Sequence, residues 1–570
     1  NMTTSKWQPL APQFASDLVT SITARASGGS EVATFTRATT AYQIDFEGKH
    51  NAVLSGEARM QGARRVENLL GANSATPVNW AGGATGASIT TGVSDPLGGT
   101  AAWTLTSGSA VWKERYYSQA TGMTVPVGSL RFSVWLRRRT GSGTIWIFTG
   151  ADSNAVLDVT AVITTSWQRI TTAAPVTSTN DSNRVGVRFG TEADAVDFYA
   201  PLFENVTGAA NQNPSEYISV GVLSAPYHGA GVDGVKYFST LNGNTVASNV
   251  VTEATGAAIV AGASGVAATA PVDAGGPFGY LAEGARADVL GTTAAIRRIM
   301  TDAGWVNTTM TVGTATGTDG VASAAASLTA TGANSTSLFT TVLGAAIRTY
   351  SAWVRRKTGT GTVNITGDNG ATWTAITLTT TYALFQFTTA SAANPVVGFR
   401  LVTSGDAIEV DWNTLEAATF ANPTPIPLNV SKAADVLTYP TSGNFSDTAG
   451  TMYAETAQTS WANAAGSIIG SATQGMMPLS TNSGVKGYDG TNTVNGTAGT
   501  PSGLVKMAVS WTGTTMNVDA SATAMVSGTY DTTWNLTTVG VGTSGFGTLR
   551  NVRIYSTALS AGQLAAMTTP

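Results

Sequence analysis

The sequence predicts an all-β chain built from tandem β-sandwich modules, and three observations carry that prediction. The first is a repeat. Arg131-Phe-Ser-Val-Trp-Leu-Arg-Arg-Arg-Thr-Gly-Ser-Gly-Thr144 returns as Thr349-Tyr-Ser-Ala-Trp-Val-Arg-Arg-Lys-Thr-Gly-Thr-Gly-Thr362, matching without gaps at Ser, Trp, two Arg, two Thr and two Gly. The second is composition. Only 11% of the 570 residues are charged and 64 are glycine, a mix that suits short strands and tight turns better than helices. The third is alternation: both copies alternate along a strand and end in a Thr-Gly-x-Gly hairpin start.

Roughly three or four domains are expected at this length. Residues 1–24 stand apart, with Phe14, Leu18 and Ile22 spaced for a short amphipathic helix, read as a docking segment or a loosely packed terminus. Residues 25–70 form a β lead-in. Within it, Val32-Ala-Thr-Phe-Thr-Arg37 and Tyr42-Gln-Ile-Asp-Phe46 alternate and predict one hairpin. Residues 71–222 form the first module, 223–290 a second lead-in, and 291–429 the second module. Gly62-Ala-Arg64 answers Gly284-Ala-Arg286, Val185-Gly-Val-Arg-Phe189 answers Val397-Gly-Phe-Arg-Leu401, and the strand ending in Glu204 answers the one ending in Glu416 after a two-residue gap. Residues 430–570 match neither module and read as a separate sandwich, closed by a short helix that Ser560 would cap.

Several function classes are excluded by composition. With net charge −4 and no basic tract longer than three arginines, nucleic acid is not an expected partner. There are no cysteines and only two histidines, His50 and His228, so thiolate metal sites and histidine-built centres are not expected. The run from Gly256 to Val272 is too weakly apolar for membrane insertion.

Taken in order, Phe-Ser-Val-Trp-Leu-Arg, Ser166-Trp-Gln-Arg-Ile-Thr171, Val-Gly-Val-Arg-Phe, Val196-Asp-Phe198 and the closing Leu-Phe-Glu resemble carbohydrate-binding-module jelly rolls of the family 4/9, galactose-binding-like type. The tail, with Leu549-Arg-Asn-Val-Arg-Ile-Tyr-Ser-Thr-Ala-Leu559, resembles a concanavalin-like (laminin-G-like) sandwich. Ala33-Thr-Phe-Thr-Arg-Ala-Thr39, the Gly-Ala-Arg segment and Ser431-Lys-Ala-Ala-Asp-Val-Leu-Thr-Tyr-Pro440 resemble linkers of tailed-phage virion proteins. The resemblance implies a virion protein, assembled in the host cytoplasm and exposed on the particle. Other virion proteins and a host-surface glycan would be its partners, and a homo-oligomer its form. A tail fibre or other exposed appendage is the first reading, a capsid decoration or head fibre the second, and a polysaccharide depolymerase the third.

The candidate ligand residues follow from strand parity. Trp112, Glu114 and Tyr116 fall on one face of a strand, with Tyr117 adjacent and Trp146 beyond a Gly-rich turn. Aromatics beside charges in this pattern suit polyol recognition. Trp135 and Arg137 share a face as well, where packing under a neighbouring segment competes with a sugar platform. Glu409-Val-Asp411 and Glu416 faintly echo a concanavalin-like glycosidase strand, but the third carboxylate is displaced and no catalysis is expected. No cofactor is required. The resemblance implies structural calcium as the one candidate ion, at Asp197 and Asp411.

Overall fold

The repeated motif folds the same way twice in the computed structural model. The Gly128–Thr140 strand pairs antiparallel with Ala195–Asn205, and Thr349–Thr358 pairs with Ala407–Glu416, with irregularities at matching places, Ser133/Trp135 and Ser351/Trp353, then Arg138/Thr140 and Arg356/Thr358. The register needs no gap. Arg137 faces Asp197 as Arg355 faces Glu409, and Arg131 faces Glu204 much as Thr349 faces Glu416. The expected two-residue gap is therefore corrected: Asp197 corresponds to Glu409, and Asp411 to Tyr199. A bulge follows in each copy, with Ala200 (φ 48°) and Trp412 (φ 52°) in the left-handed region that non-glycine residues seldom occupy.

The same comparison explains the motif's other invariants. Arg138 donates to the Gly143 carbonyl at 2.9 Å and pairs with Asp194 at 3.6 Å; Arg356 donates to Gly361 at 2.7 Å and pairs with Asp406 at 3.3 Å. Gly141 (φ 80°) and Gly359 (φ 79°) start the hairpins, and a Cβ at either would run into the Asp194 or Asp406 carboxylate. Ser-x-Trp-x-Arg-Arg with Thr-Gly-x-Gly is thus the lock of a hairpin.

The structure describes residues 12, 14–16, 33–77, 79–81, 86–109, 113–118, 122–150, 155–178, 184–218, 220, 232–238, 243–254, 279–390, 392–419, 421, 424–429, 431–457, 466–471, 473–478, 484–497, 504–521, 524–543 and 546–569. They divide into two compact units, Ala63–Gly276 and the rest.

The unit Ala63–Gly276 is the first sandwich. Its larger sheet has eight strands, seven in the order Thr245–Ala247, Val250–Thr252, Gln168–Thr171, Gly128–Thr140, Ala195–Asn205, Ala102–Thr106, Ser88–Val93, with Val176–Ser178 also on Gly128–Thr140. The smaller has four, in the order Ala155–Asp158, Ile145–Gly150, Arg184–Phe189, Lys113–Ser118. Phe132, Val134 and Leu136 of the one sheet, and Ile145, Ile147, Val185 and Val187 of the other, fill the interior at no exposure. Period-two alternation therefore leaves the residues between them on the outer faces. Two strands of the 223–290 lead-in, Thr245–Ala247 and Val250–Thr252, belong to this module's larger sheet.

The other unit holds the second sandwich and the terminal one. The second module is five strands on five: Trp305–Thr308, Ser335–Thr340, Val396–Leu401, Val363–Thr366, Thr374–Ile376 in one sheet and Met310–Ala315, Ala325–Ala330, Ala407–Glu416, Thr349–Thr358, Ala383–Thr388 in the other.

The terminal sandwich is not built from residues 430–570 alone, which corrects its reading as a separate domain. Thr34–Thr36 pairs with Val436–Pro440, Phe14–Ser16 and Gly279–Glu283 both pair with Phe546–Tyr555, and Met60–Gln61 pairs with Gly279–Glu283. Both lead-ins thus contribute strands to its sheets. Phe14–Ser16 is a strand and not the start of a helix; Leu18 and Ile22 lie outside the described residues. The expected hairpin also re-pairs: Ala41–Ile44 joins His50–Val53 instead of Thr34–Thr36. The cause is a tight turn in which Asp45 Oδ1 accepts from the Glu47 and Lys49 amides, both at 2.9 Å. The C-terminal helix Ala561–Thr568 is as expected, with the Ser560 amide donating to Gln563 Oε1 at 2.9 Å in a capping box.

One buried cluster explains why such distant segments meet. Arg37 pairs with Asp435 at 2.9 Å, Arg59 with Glu283 at 2.7 Å and with Asp435, and Lys432 lies 3.5 Å from Glu283 and 3.6 Å from Asp435; all five side chains have no exposure. Thr424 adds a hydroxyl donor to Glu283 at 2.8 Å.

His50 makes the same unit acid-sensitive. Its ring is fully buried and edge-on to Trp353 at 4.5 Å, its Nδ1 meets Thr318 Oγ1 at 2.6 Å, and its Nε2 has no hydrogen-bond partner. Burial, opposed by Asp319 and reinforced by Arg298, lowers its pKa to about 3. The unfolded chain takes up the proton first as pH falls, so stability is full above about pH 6.5 and declines by about 1.4 kcal/mol per pH unit below it. Between pH 7 and 5 the unit should lose about 2 kcal/mol, and His50→Gln should flatten that slope. Equal slopes in denaturant titrations of the two proteins would refute it.

Candidate functional site

The strands of the smaller sheet in the first module lie in register, so its outer face can be read residue by residue. One row crosses the sheet as Glu114, Arg188, Trp146, Asp158, and the next as Tyr116, Gly186, Phe148, Val156. At about 4.8 Å per strand, each row spans about 14 Å.

Electrostatics organise the row ends. Arg188 donates to Glu114 Oε2 through Nε at 3.1 Å and Nη2 at 2.9 Å, and Arg184 reaches Oε1 at 3.4 Å. Arg184 also lies over the Tyr116 ring, 4.9 Å from its centroid, and Arg188 over Phe148 at 5.5 Å. Glu114 therefore clamps two guanidinium groups, which in turn fix two rings. Gly186 lets the rings close over the middle of the sheet: a Cβ there would collide with the Arg115 carbonyl, with Phe148 and with Tyr116. The Trp146 ring lies over Gly190, whose missing side chain lets the indole sit down on the sheet. Tyr116, Trp146, Arg184 and Arg188 all keep partial exposure, and Asp158 is exposed. The face offers half-exposed aromatic surface flanked by pre-positioned donors, at low entropic cost because the arginines are already held.

Of the residues singled out from the sequence, Glu114, Tyr116 and Trp146 come together here. Trp112 lies outside the described residues. Tyr117 points the other way, into the core beside Trp80 at 6.4 Å, and burial raises its phenol pKa. Trp135 and Arg137 are on the outer face of the larger sheet and so belong to a different surface. Arg137 is held by Asp197 at 2.8 Å and stacks on Trp167 at 4.7 Å. The matching Trp353 is packed under His50, which favours the packing alternative for that pair of tryptophans.

The calcium expectation meets occupied carboxylates. Asp197 accepts from Thr104 Oγ1 at 2.7 Å, Arg137 Nε at 2.8 Å and Arg139 Nη1 at 3.1 Å. Asp411 accepts from Arg298 at 2.8 and 2.9 Å, from the Thr318 amide at 2.9 Å and from the Trp412 amide at 2.9 Å. A calcium ion needs six to eight oxygens, and among the described residues no three acidic or histidine side chains converge. Neither aspartate fits a calcium site.

Arg184, Arg188 and Phe148 were missed in the sequence. The signal was present: Arg184-Val-Gly-Val-Arg-Phe189 alternates, which places Arg184, Gly186 and Arg188 on one face. In the second module the corresponding positions are Thr336 for Glu114, Leu338 for Tyr116, Asn364 for Trp146 and Thr366 for Phe148, with Arg400 keeping the place of Arg188. The aromatic and acidic members of the face are specific to the first module.

Comparison with known proteins adds little. Neither a protein-family model nor a curated protein matches the chain. Among solved structures, it is similar to the N-terminal CBM22-1–CBM22-2 tandem of Paenibacillus barcinonensis Xyn10C, at 10% identity over 64% of this chain and 98% of that one, with a TM-score of 0.21. The single CBM22-1 xylan-binding domain of the same protein gives 13% identity over 25% and 100%, with a TM-score of 0.19. Likeness at these scores carries no argument. The class rests on the strands themselves: an all-β chain of β-sandwich modules, one of which carries an aromatic and arginine-rich sheet face.

Proposed function

We propose that this chain is a non-catalytic glycan-binding protein, carried on a tail fibre or other exposed appendage of a tailed-phage virion. The observation that carries the glycan reading is the outer face of Glu114, Tyr116, Trp146, Phe148, Arg184 and Arg188. The partly exposed rings of Tyr116 and Trp146 suit the C–H faces of a pyranose, while Phe148 is buried beneath Arg188 and serves to seat it, and the fixed guanidinium groups donate to the sugar's hydroxyls. Binding per site would be shallow and weak, gaining strength through several copies in a homo-oligomer. The virion setting is supported by the resemblance of the lead-ins and of Ser431–Pro440 to phage linkers, the segments that supply Arg37, Lys432 and Asp435 to the buried ion cluster. The concanavalin-like reading of the terminal sandwich rests on the resemblance of its last strand. Capsid decoration is the second reading, favoured by the packing of Trp353 against His50 of the lead-in hairpin.

The non-catalytic reading is supported by the pairing of each strand carboxylate with an arginine, Glu409 with Arg355 at 2.6 Å and Asp411 with Arg298 at 2.8 Å. A glycan array probed with the whole chain should give signals on neutral polysaccharides, viscometry should show no shortening of them, and gold-labelled antibody should mark an exposed appendage. An array without signal removes the glycan reading, a fall in viscosity removes the non-catalytic one, and label confined to the shell favours decoration.

A further inference from the structure

The second module keeps the arginine of that face and discards its counter-charge. Arg188 is flanked in register by Glu114 and Trp146; Arg400 is flanked by Thr336 and Asn364. Among the described residues no carboxylate pairs with Arg400. Its guanidinium lies over the Trp373 ring, 4.6 Å from the centroid, and its Nε is buried without a hydrogen-bond partner. Beside it Asn364 is 4% exposed, and its Nδ2 likewise has no partner. The acid of the adjoining loop, Asp368, is engaged otherwise. It accepts from Thr366 Oγ1 at 2.8 Å and from the Thr372 amide at 2.9 Å. Two unsatisfied donors therefore sit next to each other, one of them cationic, on a face that also carries a half-exposed indole.

Buried donors without acceptors are costly, and a ligand that supplies the acceptors recovers that cost. A neutral hydroxyl would satisfy the donors and leave the charge. A carboxylate satisfies both, with charge-assisted bonds of greater strength. We propose that the outer face of the five-stranded sheet in the second module binds a carboxylate-bearing sugar, a uronic-acid unit of an acidic glycan, through Arg400, Asn364 and Trp373. Arg400 takes the carboxylate, Asn364 Nδ2 donates to a neighbouring oxygen, and the indole edge packs on the ring. The two modules would then divide their ligands by charge, the first taking neutral residues because Arg184 and Arg188 already share the Glu114 carboxylate as their acceptor.

Affinity electrophoresis through gels containing polygalacturonate, or the same polymer fully methyl-esterified, tests this. The whole chain should be retarded by the acid form and not by the ester, and 0.5 M NaCl should abolish the retardation. Arg400→Gln should weaken it at least tenfold. Thr336→Glu, which places a carboxylate where the first module has Glu114, should do the same while leaving the melting temperature unchanged. Trp146→Ala in the first module should have no effect on this binding, which separates the proposal from the reading of that site. No retardation of the wild type, equal retardation by the ester, unchanged retardation of both Arg400→Gln and Thr336→Glu, or equal retardation by single-stranded DNA would each overturn it.

Discussion

Asp435→Asn is expected to destabilise the unit containing the second and terminal sandwiches by about 3–5 kcal/mol, the usual cost of breaking a fully buried ion pair. The reason is arithmetic of charge. Arg37, Arg59 and Lys432 face Glu283 and Asp435 with no exposure, so removing one carboxylate leaves three cations around the other. Burial by itself would raise the Asp435 pKa, but Arg59, then Lys432 and Arg37, hold it below the ordinary value, so the carboxylate stays ionised in the fold. Burial lowers the Lys432 pKa, the mark of a cation that depends on those acids. Scanning calorimetry should show one transition lowered on the order of ten degrees, with the transition of Ala63–Gly276 in place. Because the damage is an orphaned charge, adding Arg37→Met should recover part of the loss. A single mutant that melts like the wild type would show that the cluster does not hold the lead-ins to the sandwich.

The second large effect concerns ligand choice. Glu114→Gln preserves the shape of the first module's face and removes the charge that clamps Arg184 and Arg188. Binding to a neutral glycan should fall about tenfold, roughly 1.4 kcal/mol, because the guanidinium groups are no longer held over Tyr116 and Phe148. The freed cations should at the same time raise affinity for polygalacturonate. Unchanged affinity for both polymers would mean that Glu114 plays no part in recognition.

Most of the fold was legible because its signals are local. Alternation placed the two copies of the repeated strand, Gly128–Thr140 and Thr349–Thr358, and Ser560 marked the helix start. The duplication was legible because the hairpin lock of Arg138, Asp194 and Gly141 constrains sequence strongly. What escaped was non-local. Thr34–Thr36 chooses a partner some 400 residues away, and the choice is made by Arg37 and Asp435 meeting in the core, not by the alternation of either strand. The same limit applied to the site. Strand parity grouped Glu114 with Tyr116, yet only the register of the neighbouring strands adds Arg184, Arg188 and Phe148 and sends Trp135 and Arg137 to another surface. Tyr117, a candidate only as the neighbour of Tyr116, falls by parity on the opposite face, which on a strand is the difference between surface and core.

Isothermal titration of the whole chain and of Trp146→Ala with the neutral glycan giving the strongest array signal tests the central claim most directly. Trp146 is half-exposed over Gly190 and has no role in the core, so its loss should leave the melting temperature within a degree or two while weakening binding at least tenfold. Equal affinity of the two proteins would show that the ligand, if one is bound, does not use this face.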